Sequence, residues 1–118
     1  MVLHALDHVF QGRGLSALSP EVLGGGILLL VLAVATFPLT LRAHPQATVV
    51  AAALGWSIAL GVSASHLLPY WSAFSDPYVD LSLGAYSWSV MLAEVIAAAV
   101  FGSIAVRSIL HSRRLRLA

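Results

Sequence analysis

Three long apolar runs set the pattern of this chain, separated by short polar breaks. The first, from Val22 to Leu41, contains no charged residue. A second extends from Ala47 to Leu68, opened by His44-Pro45, closed by Pro69, and with His66 as its only ionisable group. The third follows Asp80 and reaches Val106, with Glu94 inside it and Arg107 closing it; its apolar core is Ala85 to Val106. Crossing about 30 Å of hydrocarbon takes roughly 20 helical residues, and each run is that long. Transmembrane helices are therefore predicted over 20–43, 46–68 and 85–107. Ser19, Pro20 and Glu21 mark the first start with a cap hydroxyl, a proline at the first helical position and an acid at the positive dipole end. Pro38, which removes a backbone donor, predicts a bend near the far end of that helix.

The N-terminal segment, 1–14, follows another rule. Val2, Leu3, Leu6, Val9 and Phe10 fall on one helical face and His4, Asp7, His8 and Gln11 on the other. This amphipathic pattern predicts a short helix on the membrane surface, polar face in water, ended by Gly12 and Gly14. It does not read as a cleavable signal, because no positive segment precedes an apolar core and Asp7 interrupts the start. The expected fold is thus an all-α integral membrane protein of three spans preceded by a surface helix.

Charge orients the plan. Arg42, Arg107, Arg113, Arg114 and Arg116 fall on one side, whereas Asp7, Glu21, Asp76 and Asp80 fall on the other with Arg13 as the exception. Arginine-rich loops are cytoplasmic, so the N-terminus and the 69–84 loop are expected outside, and the Arg42–Gln46 turn and the 108–118 basic tail inside. The outer loop carries Tyr70, Trp71, Phe74 and Tyr78, an interfacial aromatic belt, and Arg113, Arg114 and Arg116 are expected at lipid headgroups.

Composition narrows the function classes. With 59% hydrophobic and 9% charged residues and a mean hydropathy of +0.91, the chain is far from the roughly one-quarter charged content of soluble domains. A net charge of +1 gives no nucleic-acid signature, and the absence of cysteine removes thiolate zinc, iron–sulfur and cysteine-nucleophile chemistry. Arginine without lysine, in an alanine- and leucine-rich chain, favours a bacterial cytoplasmic membrane.

Glu94 is the leading intramembrane polar residue, since an ionisable group inside a span faces protein, a cavity or a proton path. Ser57, Gly61 and Ser65 recur at i, i+4 and i+8 and match its depth, with Gly102 on its own helix admitting a close neighbour; these residues are expected to contact partner helices. Gly55, Ala59 and His66 form a second stripe. His4 and His8 stand one turn apart beside Asp7, and with His66, Asp76 and Asp80 on the same side they form a conceivable metal constellation. His66 would also suit a haem ligand, although the chain has no second intramembrane histidine to pair with it. Ser65 and His66, about 100° apart on a helix, make no serine dyad, and Gly24-Gly25-Gly26 lies within an apolar helix rather than a phosphate loop.

The first expectation is a non-catalytic accessory subunit of a larger membrane complex, respiratory or transport, packing against partner subunits and lipid with no cofactor. Two alternatives stand beside it: an oligomeric proton or cation conduit through Glu94, and a membrane protein that handles haem or a divalent metal through His4, His8 and His66.

Cysteines introduced at Ser75 and Ser112 are expected to react with an impermeant thiol reagent from opposite sides of the membrane, Ser75 from outside. Labelling of both from one face would require a different number of spans.

Overall fold

A computed structural model describes residues 2–11 and 20–117, with the side chains at 2–5, 22, 116 and 117 outside the described part. The cap at Ser19, the hinge glycines Gly12 and Gly14, Arg13, and the side chains of His4 and Arg116 therefore lie outside the described residues. Among the described residues the chain is all-helical: α1 (Val2–Phe10), α2 (Pro20–Leu41), α3 (Ala47–Leu67) and α4 (Ala85–Leu117), with one 3-10 turn at Tyr78–Asp80. Three helices are long and apolar enough to cross a membrane, through Leu23–Leu41, Ala47–Leu67 and Ala85–Leu115.

The turn between α2 and α3 is a Schellman closure. The amide of His44 donates to the carbonyl of Leu39 (2.9 Å) and that of Ala43 to Thr40 (3.0 Å), with Ala43 at φ 48° in the left-handed region usually given to glycine. At the other extreme α4 outruns its expected end, continuing to Leu117 instead of yielding a separate tail at 108. Its 33 residues span about 50 Å at 1.5 Å per residue. The last segment, rich in Arg and Leu, contains no glycine or proline to stop it, and the hydroxyls of Ser108 and Ser112 donate back to the carbonyls of Ile104 and Ser108.

Small residues bring α3 and α4 together. A Cβ placed on Gly55 would sit 2.6 Å from the Gly102 nitrogen and 2.8 Å from the Ala98 carbonyl oxygen, so the two backbones are in direct contact there. Ala51, Ala52 and Ala105 continue the seam, flanked by Ile109. The packed stripe of α3 runs through Gly55, Ala59 and His66. Ser57 and Gly61 take no part in this seam: both are exposed, and a Cβ on Gly61 would meet nothing within 4 Å. Two positions along a helix turn the side chain by about 200°, which is why the serine stripe faces away from the glycine stripe. Gly102, read as a partner contact, is spent within the chain.

The helix α2 packs on α3, and of its described residues only Thr36 is buried. The Thr36 and Thr40 hydroxyls donate to the carbonyls of Leu32 and Thr36, which satisfies them without a neighbour.

The amphipathic helix α1 is inverted relative to the surface-helix expectation. Asp7 and His8 are buried, at 1% and 3% exposed, while Leu6, Val9 and Phe10 face outward. Polar side chains turn inward here because Ser87 and Tyr78 offer them partners, and outward apolar side chains carry no penalty where the surroundings are lipid.

Gly55→Ala is expected to destabilise the helix pair by roughly 1–3 kcal/mol through overpacking. Gly61→Ala, into open space, should stabilise α3 by about 0.5–1 kcal/mol. Thermal unfolding in detergent reads both, and equal shifts would rule out the Gly55–Gly102 contact.

Candidate metal centre

The polar cluster is built on the C-terminal end of α3. The last carbonyls of a helix have no partner within it and carry a partial negative charge. Here the loop supplies donors: the Trp71 indole Nε1 donates to Ala64 O (2.9 Å), and the Asp76 amide to Ser65 O (2.8 Å). Serine hydroxyls fold the loop back on itself, the Ser75 Oγ accepting from the amides of Trp71 and Ser72 at 3.0 and 3.1 Å. Asp76 is thereby pinned beside the last turn of α3.

His66, in that last turn, is 4% exposed and its Nδ1 lies 2.8 Å from the Asp76 carbonyl oxygen. A carbonyl can only accept, so Nδ1 carries the proton and the ring lone pair is on Nε2, the orientation that metal-ligating histidines commonly take from a backbone carbonyl. The Asp76 carboxylate oxygen Oδ2 is 3.8 Å from His66 Nδ1 and 3.9 Å from His8 Nδ1. One ligand atom from each of His8, His66 and Asp76 can be chosen so that all lie within 4.8 Å of one another. The two imidazole centroids are 5.8 Å apart.

Around this trio stands a second set of residues. Tyr78 is fully buried, 4.4 Å from the His66 ring by centroids and edge-on to Trp88 at 5.7 Å. Asp7 accepts from the Ser87 hydroxyl at 2.8 Å, from Gln11 Nε2 at 2.5 Å and from the Tyr78 hydroxyl at 3.5 Å. Gln11 Nε2 also reaches the Ser87 Oγ at 3.2 Å. Asp7 thus fastens α1 to α4 and the loop, and the next residue, His8, is delivered to the trio.

Of the sequence candidates, the fold brings together His8, His66 and Asp76, and leaves Asp80 exposed. Glu94 is half-buried on α4, two turns from Ser87 with the fully buried Met91 between them. Ser65 contributes its main-chain carbonyl. Arg113 and Arg114 are exposed on the far end of α4. Sequence reading took Tyr78 for an interfacial aromatic and did not pair Asp7 with Ser87. Those contacts are separated by 71 and 80 residues, and no local pattern carries them.

Chemically the trio offers two borderline nitrogen donors and one hard oxygen. The Asp76 carboxyl lies within 4 Å of both imidazoles. No protein-family model, curated protein or solved structure matches the chain.

Asp7→Ala removes the acceptor shared by Ser87, Gln11 and Tyr78. Hydrogen bonds to a charged group contribute about 1.5–3 kcal/mol each and are not additive. The expected result is at least a tenfold loss of amide-exchange protection in α1 with α3 and α4 unchanged. Unaltered protection would mean that α1 is held by something else.

Proposed function

We propose that this is a small integral membrane protein that holds a divalent transition-metal ion at the outer face of the membrane, with His8, His66 and Asp76 as ligands. The observation that carries the reading is the convergence of two buried imidazoles and a carboxylate from three separate parts of the chain.

Geometry and donor chemistry support it. Around a tetrahedral ion with bonds of about 2.0–2.2 Å, ligand atoms stand roughly 3.3–3.5 Å apart. The 3.9 Å from His8 Nδ1 to Asp76 Oδ2 is within a small side-chain rotation of that spacing, and His66 presents Nε2, since its Nδ1 donates to the Asp76 carbonyl. Two imidazoles select Zn²⁺, Co²⁺, Ni²⁺ or Cu²⁺ over Ca²⁺ and Mg²⁺, which take oxygen ligands, and the cysteine-free chain offers no thiolate for Cu⁺. The C-terminal end of α3, with its partial negative charge, favours a cation beside His66. Three protein ligands leave a fourth position for water or an incoming ligand. The outer location follows the arginine bias of the opposite loops. The reading is one of metal holding and transfer.

An accessory role in a larger bacterial membrane assembly is compatible with this. Gly24, Gly26 and Gly61 each face open space, and glycine on a transmembrane surface favours close approach of another helix. In this reading the metal-bearing end belongs to one subunit of a complex, and α2 is the helix that meets its neighbours.

Titration of the purified chain with Zn²⁺, together with intact-mass measurement of the same preparation under native conditions, tests the assignment and counts partners. One Zn²⁺ per chain is expected. His8→Ala, His66→Ala and Asp76→Ala should each weaken binding roughly tenfold or more, and affinity should fall on acidification because protons compete for the imidazoles. Binding that none of the three substitutions changes would overturn it, as would no binding at all.

A further inference from the structure

We infer that α1 is the gate of this site: the ion enters and leaves when α1 lifts from the end of the bundle, and its arrival latches α1 down. The inference rests on the metal-holding reading and adds to it a route and a moving part.

The ligands are closed off in the docked arrangement. His8 is 3% exposed, His66 4% and Asp76 9%, so a hydrated ion cannot reach them without displacement of a covering element. The two partners of His8 sit on the α3 end and its loop, which are tied together by the Asp76 amide on Ser65 O and the His66 ring on Asp76 O. Moving either would break the helix end. By contrast the described side chains of α1 tie it down on a single face, Asp7 accepting from Ser87 and Tyr78, Gln11 donating to Ser87 and the His8 ring lying against those of His66 and Tyr78, while Leu6, Val9 and Phe10 are exposed. Of the described covering elements it has the least to lose on leaving, and it carries one ligand with it.

Lifting α1 therefore opens the cluster and halves the imidazole donors in one motion. With His8 withdrawn, His66 and Asp76 remain as a weak, accessible pair to which an ion can add or from which it can depart. Redocking supplies the second imidazole. An ion bound by His8 and by the α3 end bridges helix and bundle, so it must stabilise the docked state by the same factor by which docking tightens its binding.

Two measurements decide this. In the first, the natural chain is compared with and without saturating Zn²⁺ by amide hydrogen exchange. At least tenfold slower exchange confined to α1 is expected on loading, and equal exchange in the two states overturns the gate. The second uses Gln11→Cys with Ser87→Cys in a chain that has no other cysteine, the side chains of the two parent residues being 3.2 Å apart. A short, reducible bifunctional methanethiosulfonate bridges the two thiols, and the control carries a methylthio group on each. The control, which lacks the Gln11 and Ser87 hydrogen bonds that hold α1, should load Zn²⁺ freely. The bridged protein should load and release at least a hundredfold more slowly, recovering after reduction and removal of the reductant. Bridged protein that loads as fast as the control overturns the gate and leaves the metal site standing. Absence of Zn²⁺ binding by the natural chain removes the site itself, and the gate with it.

Discussion

The direct contact of the Gly55 and Gly102 backbones fixes the register on which the rest of the molecule depends. From that crossing α3 climbs eleven residues to His66, about 17 Å, and α4 climbs fifteen to Ser87, about 22 Å, at 1.5 Å per residue. The start of α4 therefore stands about one helical turn beyond the end of α3. The step between them is filled by the loop that caps α3 and by α1, which leans on Ser87. A side chain at Gly55 would push the helices apart and separate His66 and its loop from Ser87, the anchor of α1. A packing choice near the middle of α3 thus determines whether a polar cluster can assemble at one end.

That cluster is expensive to bury unless its charges are matched. Asp7 and Asp76 are both nearly inaccessible, and carboxylates so placed call for hydrogen-bond donors or a positive charge nearby. Asp7 is served by neutral donors, Ser87, Gln11 and Tyr78, which spread its charge by hydrogen bonding. Asp76 is served differently. Its main chain is committed to the α3 end, and its carboxylate faces His8 and His66. The charge there can be matched by protonating an imidazole or by placing a cation between the groups. The second keeps both rings neutral and uses their lone pairs, and the exchange of one for the other makes occupancy a function of pH.

Much of the architecture is written locally. Apolar runs of about 20 residues bounded by His44-Pro45, Pro69 and Arg107 gave the three long helices, because hydrocarbon thickness leaves little else to do with them. The amphipathic period of residues 2–11 gave α1 but not the direction of its faces. In water the polar side of a short helix faces solvent; at the end of a membrane bundle the partners for Asp7 and His8 lie inside and lipid-like surroundings outside. Similarly, period alone could not choose between the Gly55–Ala59 and Ser57–Gly61 stripes of α3, as both suit close packing, and only the partner helix decides. The His8–His66–Asp76 grouping was within reach as a set of outward-facing ligands, but its members stand on three elements, and their convergence depends on the loop fold set by Ser75 and Trp71. The continuation of α4 to Leu117 was hidden by the charge boundary at Arg107, which ends an apolar run without ending a helix.

Nine residues are too few to hold a helix in isolation, for which about 12–15 are needed. The structure of α1 is therefore derived from its docking, and its docking from polar contacts rather than from burial of Leu6, Val9 or Phe10. Buried polar contacts are stronger than the same contacts in water, yet each is directional and is lost over a small displacement. Such an attachment releases abruptly, unlike an apolar face that can slide. A ligand that joins α1 to α3 adds to this attachment by mass action, about 4 kcal/mol at a thousandfold excess over its dissociation constant. That is comparable to the hydrogen bonds it supplements. A helix this short, fastened this way, is governed by whatever occupies the space between His8, His66 and Asp76.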